Sequence, residues 1–250
     1  MVLLWREREH EDLDAEVMED DEALEALWLC GLKKFFEMNG MRAKVRMLEM
    51  LVGYWDPDLE VFIVDGQTLR LEVDDIYFLT GLSWRGEVVS MKARNIGSFT
   101  VDEYLTLYCA PGSENIGTQI PFEDIIRLDI REILDTLQQI VGSASSHQIS
   151  RVHIFYAARC VEPTFFYWSS TLLGCMKAQL NACHQGRVKT FGFGNILLSF
   201  FFDRIPSLSP RVSLGLHAMM ISTMGRWTFL MPPLGGGRVI HPFDDEYFDW

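Results

Sequence analysis

Between Lys44 and Val89 the spacing of apolar residues changes period twice, from helical to strand-like and back. Val45, Leu48, Leu51 and Val52 recur at three- and four-residue intervals, so they share one helical face, which Met47 and Tyr54 widen. Asp56-Pro57 is expected to end that helix, because the residue before proline is pushed out of the helical region. A β-branched run follows, with Val61, Ile63 and Val64 flanking Phe62, and then Asp65-Gly66, a two-residue turn signal. Leu69 and Leu71 alternate with Arg70 and Glu72, the period of a half-buried strand. Asp74 and Asp75 then open a second helix, where carboxylates interact favourably with the dipole and the free amides. Ile76, Phe78 and Leu79 are expected on its buried side. Gly81 is expected at a left-handed cap, with Leu82 folded back onto the last turn.

Outside this stretch the pattern is mostly helical. Leu24, Leu27, Trp28 and Cys30 to Leu32 give a helix face closing near Gly31, and Phe35-Phe36 lead to an Asn39-Gly40 turn. Residues 91–98 show little periodicity. Thr100 and Glu103 stand at capping-box spacing before Leu105, Leu107 and Tyr108. A polar loop spans residues 110–119. Pro121, Phe122, Ile125 and Ile126 are expected to open a long helix that keeps its period through Ile130, Ile133, Leu134, Leu137 and Ile140. Residues 142–148 read as a small-residue linker, and Val152, Phe155, Tyr156 and Cys160 as the next helix. Thr164 to Leu180 is apolar on nearly all sides, which predicts a central buried helix, and Phe191 to Phe202 predicts a second one. The fold class expected is mainly α: a multi-helix single domain with a small β-hairpin near residues 61–72. Residues 1–22 read as an acidic N-terminal tail, 23–231 as the helical domain, and 232–250 as a segment rich in glycine and aromatics.

Composition changes this picture in three ways. Hydrophobic residues make up 48% of the 250-residue chain, enough for a sizeable core, and no apolar run approaches the length of a membrane span. The net charge of −13 makes the chain a poor sequence-independent binder of phosphate backbones, which requires clustered Lys and Arg. Five scattered cysteines without a CxxC pair, and no secretory start, read as free, mostly buried thiols in a reducing intracellular compartment.

The spacing Leu48-x-x-Leu51-Val52-x-x-Trp55-Asp56-Pro57, a hairpin through Phe62, and Leu71-Glu72-Val73-Asp74-Asp75 leading to Leu79-x-Gly81-Leu82 resembles the plant mobile domain. That family is also labelled aminotransferase-like and has transposon-borne and host (MAINTENANCE OF MERISTEMS-like) versions. The family usually has Thr where Glu72 stands, and Glu is the poorer cap, so a shifted or weaker helix start is expected. Tyr167-Trp168-Ser169-Ser170, Leu172-Leu173, Gly194, Leu197-Leu198, Phe202-Asp203-Arg204 and Pro206 resemble its later motifs more loosely. The resemblance spans roughly residues 24–210. Many members run further than Trp250, which implies a truncated or degenerate copy. It also implies a non-enzymatic nuclear protein-interaction module, with a role in transposable-element silencing and in genome and meristem maintenance. A PP7-like protein phosphatase is the implied partner. The residues singled out are structural: Trp55, Pro57, Phe62, Asp75, Gly81, Leu82, Trp168 and Arg204, with Arg204 expected to be held by a carboxylate of the domain.

No constellation with catalytic spacing emerges. Cys183-His184 are adjacent, so on a helix they point about 100° apart and do not form a nucleophile–base pair. Cys175, Cys183 and His184 match no common zinc spacing. Gly192-Phe193-Gly194-Asn195 begins like a dinucleotide loop, but Leu197 stands where a third small residue belongs. Gly235-Gly236-Gly237-Arg238 lacks the Lys-Ser/Thr of a phosphate loop. Lys177 and Lys189 lack the surroundings of a pyridoxal lysine. The reading therefore assigns no catalytic residue, no metal and no cofactor. The alternative is a transposon-derived, nucleic-acid-associated protein using a local basic patch drawn from Arg151, His153, Arg159, Lys177, Arg187 and Lys189. The acidic, apolar helix at Asp74–Thr80 is not suited to read bases, which calls for basic and amide side chains.

Overall fold

A computed structural model describes residues 25, 27–36, 45–89, 95–96, 99–100, 107–109, 119–121, 125, 131–140, 148–161, 165–188, 191–205 and 207–208. Among the described residues the helices include α1 (Lys33–Phe36), α2 (Val45–Gly53), α3 (Val73–Thr80), α4 (Arg131–Ile140), α5 (Arg151–Val161), α6 (Trp168–His184) and α7 (Gly194–Arg204). The strands are β1 (Trp55–Asp56), β2 (Val61–Val64), β3 (Gln67–Leu69), β4 (Asn95–Ile96), β5 (Phe99–Thr100), β6 (Gln119–Pro121) and β7 (Gln148–Ser150). Helix accounts for 58% of the interpretable residues and strand for 14%, so the chain is mainly α, as its periodicities predict.

Local chemistry sets the hairpin. Asp65 and Gly66 both have positive φ, 50° and 75°, which the tight β2–β3 turn requires. That turn fixes the register Val64↔Gln67, Ile63↔Thr68 and Phe62↔Leu69. On the other side β1 pairs antiparallel with β2, Trp55 opposite Phe62. Alternation therefore places Trp55, Phe62 and Leu69 in one row on one face. The Trp55 and Phe62 rings meet edge-on, with centroids 4.9 Å apart. Strand β1 departs from the sequence expectation. Helix α2 ends at Gly53, before Asp56-Pro57, and Trp55-Asp56 is already extended. Pro57 opens the next turn instead. The Asp56 carboxylate accepts the Asp58 and Leu59 amides there, each at 2.9 Å.

Helix α3 starts at Val73 with Glu72 as N-cap. Asp75 compensates for the poor cap by accepting the Glu72 amide at 2.9 Å. Gly81 closes the helix at φ 72°, its amide donating to Tyr77 O at 2.8 Å, and Leu82 is fully buried behind it. Phe78, expected inside, is 65% exposed. Two residues on from buried Ile76, it lies about 200° around the helix.

Helices α6 and α7 form the centre. Nine consecutive residues of α7, Gly194 to Phe202, are buried, as expected for a helix apolar all round. Phe62 packs on Phe201 at 5.0 Å and on Phe200 at 6.1 Å between centroids. Gly194 is a packing glycine: a Cβ there would meet Leu48 Cδ1 of α2 at 2.6 Å. Helix α6 begins at Trp168, later than the Thr164 expected. Phe166 is instead bridged in parallel to Glu87, with Glu87 N–H donating to Phe165 O and Tyr167 N–H to Glu87 O, both at 2.9 Å. One side of α6 faces solvent at Gly174 and Ala178, so it is not buried all round.

Other expectations also change. Of the long helix predicted from Pro121, the described residues show α4 from Arg131 onward, while 122–124 and 126–130 lie outside the described residues. Pro121 lies in β6, paired with β7, and Ile125 bridges Cys109. Strand β7 begins at Gln148, in the expected linker. Thr100 lies in β5, paired with β4, while Glu103 falls outside the described residues. Trp28 is exposed, while Leu27, Cys30 and Leu32 are buried. The acidic tail, the Asn39-Gly40 turn and everything after residue 208 lie outside the described residues.

Two predictions follow from the backbone and the core. Gly86 has φ 119°, and a Cβ there would run into the backbone carbonyl of Phe165. Gly174 has no such neighbour. In thermal melts Gly86→Ala is expected to destabilise by about 1–3 kcal/mol. Gly174→Ala is expected to stabilise by about 0.5–1 kcal/mol, because alanine suits a helix interior better. Separately, burial holds His153 of α5 down at a pKa of about 4, against an ordinary 6.5. Between those values the unfolded chain takes up the proton and the folded chain does not. His153 therefore contributes stability that is fully present above pH 6.5 and is lost as pH falls toward 4, about 3 kcal/mol in all. Denaturant melts from pH 7 to 5 are expected to show a shallower loss of stability in His153→Leu than in the parent.

Candidate functional site

The singled-out residues come from distant parts of the chain, and the fold ties several of them together. Trp55 Nε1 donates to Asn181 Oδ1 of α6 at 2.6 Å. Trp168 Nε1 donates to the Cys30 carbonyl at 2.9 Å, which fixes the start of α6 against residues 27–32. Ser169 Oγ donates to Leu82 O at 2.8 Å and Ser169 N–H to Ser83 O at 3.0 Å, while Ser83 Oγ donates to Phe166 O. The stretch after Gly81 is thus stitched to the residues around Trp168. Gly81 itself packs against α1, where a Cβ would meet Lys34 Cβ at 2.8 Å. Phe62 sits on α7, and Pro57 is half-buried in the β1–β2 turn.

Arg204, in the last turn of α7, donates to Asp75 Oδ1. Asp75 therefore has two tasks: one oxygen caps α3, and the other holds the guanidinium at the end of α7. The Arg204 side chain is 51% exposed and that of Asp75 only 13%. The guanidinium also lies 5.7 Å from the centroid of the Phe200 ring. Beside this pair opens a cleft of about 280 Å³, lined by Asp75, Phe78, Leu79, Phe200, Asp203 and Arg204.

An aromatic strip runs away from the cleft. The Phe78 and Tyr77 rings lie 5.2 Å apart and those of Tyr77 and Trp84 5.8 Å apart, between centroids. Trp84 is 43% exposed, and the Arg85 guanidinium lies 4.5 Å above it. Sequence reading placed Phe78 in the core and missed this surface. The signal was present: Phe78 is out of phase with Ile76, and Trp84-Arg85 lies beyond the Gly81 stop.

Of the residues weighed for chemistry, Lys189 and residues 235–238 lie outside the described residues. Cys183 and His184 are consecutive on the last turn of α6. Burial pushes the Cys183 and Cys175 thiols up, away from the reactive thiolate. The Cys160 thiol is raised further, first by complete burial and then by the Cys30 thiol beside it. Gly192 forms a turn whose amide donates to Gln179 Oε1 at 2.5 Å, and Gly194 is filled by Leu48. Lys177 pairs with Glu60 at 2.7 Å. Among the described residues no group of three or more His, Cys, Asp or Glu is placed to hold a metal ion.

Of the residues weighed for a basic face, Arg187 is exposed and Lys189 lies outside the described residues. Arg159 makes a two-pronged pair with Glu87 at 3.1 and 3.3 Å, Lys177 is engaged by Glu60, and His153 is buried. No described helix is long and apolar enough to cross a membrane. Comparison with protein-family models, with curated proteins and with solved structures returns no match.

The dual role of Asp75 leads to a prediction. Asp75→Ala loses both the cap and the ion pair, whereas Arg204→Ala keeps the cap and loses a half-exposed pair with its contact to the Phe200 ring. Denaturant melts are expected to give about 1–2 kcal/mol for Asp75→Ala and about 0.5–1 kcal/mol for Arg204→Ala. The double variant is expected to fall short of their sum. Strict additivity would show that the two side chains do not interact.

Proposed function

We propose that the chain is a non-enzymatic protein-interaction module, and that its docking surface is the aromatic strip of Tyr77, Phe78 and Trp84 with the adjoining Asp75–Arg204 cleft. One observation carries the reading: Phe78 and Trp84 stand exposed at 65% and 43% in a continuous run of rings flanked by Arg85 and Arg204. Tryptophan, tyrosine and arginine are the residues that dominate binding energy at protein interfaces. Grouped exposed rings mark such surfaces better than scattered ones. The resemblance to the plant mobile domain supplies the biological setting of the proposal: a nuclear protein acting in transposable-element silencing and in genome and meristem maintenance, with a PP7-like protein phosphatase as partner. The nucleic-acid reading gains no support from Arg159 and Lys177, whose charges are already matched within the domain.

Affinity capture of the tagged chain from plant nuclear extract, with and without nuclease, tests the proposal. Recovery of the phosphatase is expected to survive nuclease. Phe78→Ala with Trp84→Ala is expected to weaken that binding about thirtyfold, the effect of losing about 2 kcal/mol at a hot spot, with the melting transition nearly unchanged. Recovery of partners only when nucleic acid is intact would reject the proposal in favour of the nucleic-acid reading.

A further inference from the structure

No further inference is drawn: the strongest candidate, the exposed aromatic strip of Tyr77, Phe78 and Trp84 beside the Asp75–Arg204 cleft, belongs to the surface already described, and nothing in the structure shows what covers it.

Discussion

Helix α7 has to be wrapped on every side, and much of the described structure follows from that constraint. From Gly194 to Phe202 it offers no exposed side chain. Burying each of its Leu, Ile and Phe side chains contributes on the order of 1.5–3 kcal/mol. Its one hydroxyl, Ser199, is satisfied inside the helix by donating to Asn195 O at 2.8 Å. Leu48 of α2 closes on Gly194, Phe62 of β2 on Phe200 and Phe201, and α3 lies along its far end. Only at Asp203 and Arg204 does α7 reach the surface, which is why the cleft forms there.

The hairpin and α3 serve that helix from outside. Two positive-φ residues at Asp65-Gly66 set the register that puts Trp55 and Phe62 on one face. The Trp55 indole then anchors the sheet to α6 through Asn181, while the Glu60–Lys177 pair ties the β1–β2 turn to the same helix. Such an exposed pair is worth little energetically. Asp75 joins the start of α3 to the end of α7, so the floor of the cleft and its charged rim are positioned by one side chain.

What the sequence made legible was local. Asp65-Gly66 demanded a tight turn, Gly81 a left-handed cap, and the all-apolar run around Leu197 a buried helix; each is set by chemistry within a few residues. The reading failed where a distant partner decides the conformation. Phe166 is extended because Glu87 pairs with it, and Pro121 is extended because Gln148 lies opposite. Helix periodicity cannot register either bond. The carboxylate anticipated for Arg204 proved to be Asp75, whose sequence context showed only a helix start. Hydrophobicity places Phe78 inside, but its phase on α3 turns it outward, and the aromatic strip follows from that phase.

Native-state hydrogen exchange along α7 tests the central claim most directly. If this helix is enclosed on all sides, the amides of Ile196 to Phe202 exchange only through global unfolding and share the largest opening free energy in the chain. Exchange of those amides as fast as those of the exposed Asp65-Gly66 turn would contradict that account.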